Sequence, residues 1–425
     1  MDLTLDIGWR RTYSATAEGD VKGMDARRLR SATREPWAEF ATGFSRRMLA
    51  SLPRSDQRLK GERYISGLLS VPGRKTMRSI AACGGGGAAE QSVHHFISKS
   101  SWDWLQVRQT LGRNLDRVVR PQAWVVHPMA IPKWGRHSVG VQESYVAQLG
   151  RVVNSQQAYG LWLANEDVSA PVNWRLVLPP GWLSDEQRRR RAEIPEGLAV
   201  ASADQTIVNA VREVAEGWGL ERRPVVLDGR QATDAAAIAD ALGHLGIPLV
   251  MRINGSTPLV PGDLAAVGDR ADRYVEAWRL MQRVRRAALP VRWLESESAQ
   301  AADCVLVART GVVLPWSAAT AETGPRHRPL ALVGTWRGGG GVPDELWLSN
   351  LLAPRAGDLL RLGRLIGRVE ADSGAVAERV GIKDFEGRCF GGWHRHLTLC
   401  SVAHAIVTLS SASADTAVDG GLLSA

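Results

Sequence analysis

Cysteine and long apolar runs are scarce in this 425-residue chain, and each scarcity excludes a class of protein. Only four cysteines occur, far apart and without CxxC spacing, which argues against a zinc module or a disulfide framework and fits a reducing cytoplasm. No uninterrupted apolar run approaches the roughly 20 residues of a membrane span, and the N-terminus lacks a compact apolar signal segment. We therefore expect a cytoplasmic protein that does not enter the membrane.

Lysine is also rare, so the positive charge of the chain comes almost entirely from arginine. Six lysines stand against 47 arginines, and the formal net charge is +9 at pH 7. A basic surface favours a polyanionic partner, most simply nucleic acid. Coding bias toward arginine and alanine is the alternative explanation for this composition.

Hydrophobic periodicity divides the chain into segments. Residues 1–35 and 411–425 show no periodicity and are expected to be disordered. Residues 36–121 have helical spacing and predict a helical N-terminal domain with possible DNA binding, in which the run from Gly84 to Gly87 is a connector. The pattern becomes strand-like from residue 122.

The central part of the chain alternates strand and helix patterns. AWVVH, VVNSQQAYGLWLA and APVNWRLVLP are three consecutive strands, followed by a helix, the strand RPVVLDG, a second helix and the strand IPLVMRI. This β-β-β-α-β-α order over 122–252 is that of an RNase H-like core. We expect a β-rich insertion at 253–352 and closing helices at 353–410, giving an α/β (α+β) fold with a mixed sheet flanked by helices.

Two long stretches resemble a known family. WVVHPMAIPKWGRHSVGVQESYVAQLGRVVNSQQAYGLWLA and VGIKDFEGRCFGGWHRHLTLCSVAHA are similar to DDE-type insertion-sequence transposases of the IS4-like group, in the branch common in actinobacteria. The resemblance implies an RNase H-like enzyme that cuts and joins double-stranded DNA. Such chemistry needs several carboxylates that converge on two Mg²⁺ or Mn²⁺ ions.

The resemblance assigns two acids to this site. Asp228, after the strand RPVVLDG, matches the second acid and Glu370, on a helical segment, matches the third; both are the expected metal ligands. Glu386 is the second choice for the third acid. The turn after Asp228 is one residue longer than in the family and places the bulky cation Arg230 beside the expected metal.

The first acid of the family is missing, because His127 stands in its place. A neutral imidazole is a poor ligand for Mg²⁺ and supplies no negative charge to offset two dications. We therefore predict a transposase-family DNA-binding protein, a pseudoenzyme with impaired catalysis and no required cofactor. The alternative is an active enzyme that uses Mg²⁺ or Mn²⁺, with Glu143 as substitute acid or His127 as base or Mn²⁺ ligand; a strand-end histidine without function is also consistent.

The expected partner is double-stranded DNA in the bacterial nucleoid, on which the protein could form a homodimer. The candidate contacts are basic residues near the motifs, with a merely solvated surface as the alternative. They are Lys133, Arg136, Arg188, Arg189, Arg190, Arg191 and Arg395. His394, His396 and His404 are a further candidate metal group, but the i, i+2 spacing of the first two places them on different faces of a helix, so a shared ion is not expected unless the helix begins after them.

Overall fold

A computed structural model describes residues 36–83, 87–146, 149–262, 274–293, 303–314, 329–338 and 340–422. Residues 1–35 and most of the Gly84 to Gly87 connector lie outside the described residues. Among the described residues, no helix has the length and apolar character needed to cross a membrane.

In the described residues, five α-helices precede the first strand and seven follow it, the last two after the final strand. The first group is α1 (Pro36–Met48), α2 (Ser55–Ser70), α3 (Met77–Ala82), α4 (Gly87–Ser98) and α5 (Trp104–Val119). The second group is α6 (Pro180–Ser184), α7 (Glu186–Arg191), α8 (Ala203–Gly217), α9 (Ala235–His244), α10 (Ala277–Val284), α11 (Ala356–Asp372) and α12 (Phe390–Leu422).

Twelve strands are present in the described part of the chain. Those of the core are β1 (Ala123–Pro132), β2 (Gln142–Val146), β3 (Arg151–Ala164), β4 (Ser169–Leu176), β5 (Val225–Asp228) and β6 (Leu249–Ile253). The later ones are β7 (Pro258–Pro261), β8 (Val275–Glu276), β9 (Leu289–Trp293), β10 (Asp303–Val313), β11 (Leu330–Trp336) and β12 (Glu345–Ser349).

The strand order confirms the expected fold class. The central strands lie in the order β4-β3-β1-β5-β6, in which β3 is antiparallel to both β4 and β1 while β1, β5 and β6 run parallel. Helices flank this mixed sheet, as in RNase H-like proteins. Because β1 and β5 are parallel neighbours, the residues at their carboxyl ends meet at one edge of the sheet.

The later strands extend the same sheet. β12 pairs antiparallel with β6, and the order continues through β11 and β10 to β7, with β9 on the far part of β10. The helix α10 packs against β10 and β11. The β-rich segment is therefore continuous with the core through backbone hydrogen bonds.

One helix crosses this sheet and carries a candidate acid. α11 packs against β1, β5 and β6, burying Leu365, Ile366 and Val369 on the face that meets the sheet. The apolar spacing that predicted this helix is thus the spacing of its core contacts. Its last turn brings Glu370 toward the strands that carry His127 and Asp228.

Two segments depart from the sequence-based expectations. β1 does not stop at His127 but continues through Pro128 to Pro132, because beyond Val126 it pairs with β3 on one side only and a missing N–H is tolerated there. The tail expected to be disordered from residue 411 is helical to Leu422. Its alanines favour helix and it contains no proline, so α12 continues past the core.

Candidate active site

His127 and Asp228 lie side by side at the carboxyl edge of the sheet. The parallel register pairs Val126 with Leu227, so the next residues, His127 and Asp228, are neighbours on one face. The imidazole of His127 meets the ring of Trp162 edge-on, with centroids 6.4 Å apart. The position assigned to the missing acid therefore borders the second acid directly.

The imidazole of His127 is uncharged at neutral pH. Burial lowers its pKa to about 4, the charge of Lys383 adds to this lowering, and the carboxylate of Asp228 opposes it only in part. A neutral ring contributes no negative charge to the site. Because it is neutral, His127 cannot form an ion pair with Asp228, whose charge partner is another residue.

That partner is Arg230, two residues further along the chain. Its Nε donates to both carboxylate oxygens of Asp228 at 2.9 and 3.0 Å, and its Nη2 donates to Oδ2 at 2.5 Å. The backbone N–H of Arg230 donates to Oδ1 at 3.1 Å. Burial raises the pKa of Asp228, but the hydrogen bonds and charge of Arg230 outweigh it and the pKa is lowered. The carboxylate is ionised and both of its oxygens face a guanidinium.

Glu370 lies at the exposed end of α11, next to the buried Val369. The pKa of Arg230 is raised first by its hydrogen bonds to Asp228, and the charges of Glu345 and Glu370 add to the effect. The negative charges of Asp228, Glu345 and Glu370 thus all act on the guanidinium of Arg230.

The residues present do not fit a two-metal centre. In the described ranges, no three His, Cys, Asp or Glu side chains are grouped so that they could hold a metal ion. A pair of dications needs several anionic oxygens with free lone pairs. Here one position is a neutral ring, and Arg230 covers the oxygens of another.

Glu143, the alternative first acid, lies away from this edge. It pairs in register with Asn154 of β3, whereas His127 pairs with Gly160, six residues along the same strand. At about 3.3 Å per residue this separates the two by roughly 20 Å. Glu386, the second choice for the third acid, forms an ion pair with Arg74 at 3.5 Å. It lies next to Phe385, whose carbonyl accepts from Lys133.

Comparison with known proteins decides the family of this chain. The family model described as DDE superfamily endonuclease matches residues 47–309, which is more than half of the sequence.

The chain belongs to the DDE endonuclease superfamily. A search of curated proteins gave no match. Members of this superfamily are endonucleases that act on DNA and typically use divalent metals. The matched residues include His127 and Asp228, whereas Glu370 follows the matched region.

Several cations of this DDE-superfamily chain lie close together on the surface. Trp182 of α6 donates from its indole Nε1 to the carbonyl of Val141 at 2.9 Å, and the guanidinium of Arg188 lies over the Trp182 ring, 5.6 Å from its centroid. Arg190 and Arg191 are exposed on the same short helix. These contacts place α7 beside the loop that joins β1 to β2 and contains Arg136.

Two of the predicted DNA contacts, Lys133 and Arg189, donate to backbone carbonyls. Lys133 donates from Nζ to the carbonyl of Phe385 at 2.6 Å, and burial, reinforced by the charge of Arg74, lowers its pKa to about 8. Arg189 donates to the carbonyls of Pro195 and Glu196. These bonds fix loops around α7 and the end of β1.

The assignment of Arg395 as a DNA contact is wrong. Its side chain is only 8% exposed, donates to the carbonyls of Trp102 and Ile97, and lies over the rings of Trp102 and Trp104. No phosphate can reach a guanidinium enclosed in this way. Its acceptors come from a segment almost 300 residues earlier, so the local motif gave no signal of its burial.

The three histidines of α12 are core residues with separate partners. His394 stacks on Trp104 with a centroid distance of 5.0 Å, and His396 accepts from the hydroxyl of Tyr64 at 2.8 Å. His404 contacts the carbonyl of Ser169 through Nε2 at 2.8 Å.

Two charged neighbours of the site were not identified from the sequence. Lys383 acts on His127 from the loop after α11, and Arg252 acts on Asp228 from β6. Arg252 was detectable as the residue beside Asp228 once β5 and β6 were known to be parallel. Lys383 was not, because its loop has no periodicity.

Proposed function

We propose that this chain is a DNA-binding protein of the DDE superfamily, of insertion-sequence transposase descent, whose metal-dependent strand cleavage is lost. The family assignment supports DNA as the partner. The loss of cleavage is supported by the ion pair of Arg230 with Asp228, because a permanent cation then occupies the carboxylate that was expected to bind metal. His127, neutral beside it, supplies no replacement charge.

The magnitude of the effect favours near-complete loss of cleavage. Each 1.4 kcal/mol of lost transition-state stabilisation lowers a rate about tenfold. Removing one metal-bridging carboxylate and covering another is expected to cost several kcal/mol. Residual activity would thus be reduced by a factor of about 100 or more.

Cleavage is tested with supercoiled plasmid in Mg²⁺ or Mn²⁺. The wild type and Asp228→Ala should nick the plasmid equally slowly, because under the proposal the wild-type site does not bind metal. Nicking by the wild type that disappears in Asp228→Ala would show an active enzyme and overturn the proposal. Circular dichroism of both proteins controls for folding.

The cause of the loss is tested by rebuilding the site. His127→Asp alone should stay inactive, since Arg230 still occupies Asp228, whereas His127→Asp/Arg230→Ser should bind Mn²⁺ and recover nicking. The matched control is His127→Asp/Arg279→Ser, which removes a different ion pair, that of Arg279 with Glu276. Equal Mn²⁺ binding by both double variants would mean that Arg230 is not the obstacle.

DNA binding by the surface of α7 is tested through its salt dependence. A protein that neutralises phosphates releases counterions, so log K falls with log salt in proportion to the number of contacts. Arg188→Ser/Arg190→Ser/Arg191→Ser should reduce this slope by about two to three. A control triple variant at exposed arginines elsewhere, Arg212, Arg279 and Arg361, should leave it nearly unchanged.

A further inference from the structure

The loop between β1 and β2, residues 133–141, projects a tryptophan fully into solvent. Trp134 is 102% exposed, whereas seven other tryptophans are among the largest fully buried side chains. The next residue, Gly135, has φ of +85° and turns the chain at the tip. A large exposed apolar side chain at a loop tip gains by burial against a partner.

This loop is held firmly at both ends. The N–H of Lys133 donates to the carbonyl of Asn154 at 2.8 Å, and its Nζ is bound to the carbonyl of Phe385. At the other end, the amide of Gln156 donates to the carbonyl of Val139 at 2.7 Å. The position of Trp134 is thereby fixed in advance, which lowers the entropy cost of binding.

A second group of exposed side chains stands on the neighbouring hairpin. Tyr145 and Val152 pair in register and are 63% and 62% exposed. Arg136 bonds to Glu143 of β2 and links the loop to this hairpin, and Arg151 is exposed next to Val152. The Trp134 surface is defined here as Trp134, Arg136, Tyr145, Arg151 and Val152.

The chemistry of the Trp134 surface matches duplex DNA. Its arginines can bind phosphates, and the ion pair of Arg136 is exposed enough, at 69% and 59% for the two side chains, for a phosphate to compete. Apolar side chains that insert between base steps are a common device of DNA-bending proteins. A second copy of this chain fits less well, because a symmetric contact would bring the same arginines together.

We propose that Trp134 is a wedge that inserts at a base step of bound duplex DNA and bends it. This inference rests on the proposed DNA binding. β1 runs five residues from His127 to the end of the strand at Pro132, so Trp134 lies about 20 Å beyond the degenerate site. At about 3.4 Å per base pair, the bend falls roughly six base pairs from Asp228.

The test uses a 30-base-pair duplex with fluorophores at its ends and 2-aminopurine at interior positions. Wild-type protein should bend the duplex by about 20–90° and raise 2-aminopurine fluorescence at an unstacked step. Trp134→Ala should lose both signals at saturating protein while still binding DNA, and Trp134→Phe should keep part of them. Tyr274→Ala, at another exposed aromatic, is the matched control.

Each contrary outcome has a separate meaning. If Trp134→Ala binds and bends DNA as the wild type does, the wedge is refuted and DNA binding stands. If Trp134→Ala changes only the oligomeric state in sedimentation, the Trp134 surface joins copies of this chain and the wedge is also refuted. If the wild type binds no duplex, the proposed function fails and the wedge with it.

Discussion

At the scale of single residues, the pairing of Asp228 with Arg230 couples folding to pH. The lowered pKa of Asp228 means that its contribution to stability is present above the unfolded pKa of about 4 and is lost as pH falls through the lower folded value. Arg230→Met removes the largest favourable contribution and leaves burial, which raises the folded pKa, opposed only by the charge of Arg252. The free energy of unfolding of Arg230→Met should therefore lie furthest below that of the wild type at pH 7, and the difference between the two should narrow toward pH 4.

Urea unfolding between pH 7 and pH 4 measures this difference. Arg136→Met is the control, since both partners of its ion pair are more than half exposed and such pairs contribute little. A difference between Arg230→Met and wild type that stays constant with pH would contradict the role assigned to the Asp228 ion pair.

At this scale the sequence predicts chemistry that is local. It places His127 at the position expected for the first acid and a cation two residues after Asp228, and the structure brings His127, Asp228 and Arg230 to one edge of the sheet. Sequence reasoning failed at Arg395, because an arginine can be buried when backbone carbonyls and aromatic faces surround it. Those groups come from α4, α5 and the residues between them, and no local pattern indicates such a contact.

At the scale of elements, the close fit of α11 against β12 depends on Gly363. A Cβ at this position would lie 2.7 Å from the ring of Trp347, so Gly363→Ala must displace the helix or the ring. We expect a loss of about 1–3 kcal/mol in the free energy of unfolding. Glu370 would shift with the helix.

Gly367 of the same helix provides the matched control. No atom lies within 4 Å of a Cβ at this exposed position, so Gly367→Ala should stabilise the protein by up to about 1 kcal/mol through helix propensity. Urea denaturation followed by tryptophan fluorescence measures both variants. If Gly363→Ala and Gly367→Ala increased the free energy of unfolding equally, α11 would not be in close contact with Trp347 at position 363.

Elements were predicted better than their limits and partners. Periodicity located β3, β4, β5 and α11, because alternation and helical spacing follow directly from which faces are buried. The continuation of β1 past Pro128 was missed, since only the absence of a neighbour on one side makes proline acceptable there. The joining of β12 to β6 was equally invisible, because the two strands lie almost 100 residues apart.

At the scale of the whole molecule, the N-terminal helices and the sheet share one hydrophobic core that extends from Ala41 to Ile406. The hydroxyl of Tyr64 in α2 donates to Nδ1 of His396, whose Nε2 donates to the carbonyl of Gly381. This chain of bonds connects α2 to α12 and to the loop that carries Lys383. The helices and the sheet should consequently unfold together.

Tyr64→Phe tests this coupling. It removes the hydroxyl donor of the buried Nδ1 of His396 and leaves only the Cys400 thiol, 4.0 Å away, which should cost about 1–3 kcal/mol. Unfolding curves from far-ultraviolet circular dichroism and from tryptophan fluorescence should shift by the same amount, and Tyr145→Phe, at an exposed hydroxyl, should shift neither. A shift of only one curve would mean that the N-terminal helices unfold independently.

The pairing of β12 with β6 also decides what happens if the later strands are trimmed away. A shortened chain that keeps only the five central strands would present the outer rim of β6 as a row of unpaired amides and carbonyls. Such an exposed edge can pair with strands of other chains and cause aggregation, and β6 itself is largely apolar. The later strands therefore protect the central sheet from aggregation, and they cannot be deleted without loss of solubility.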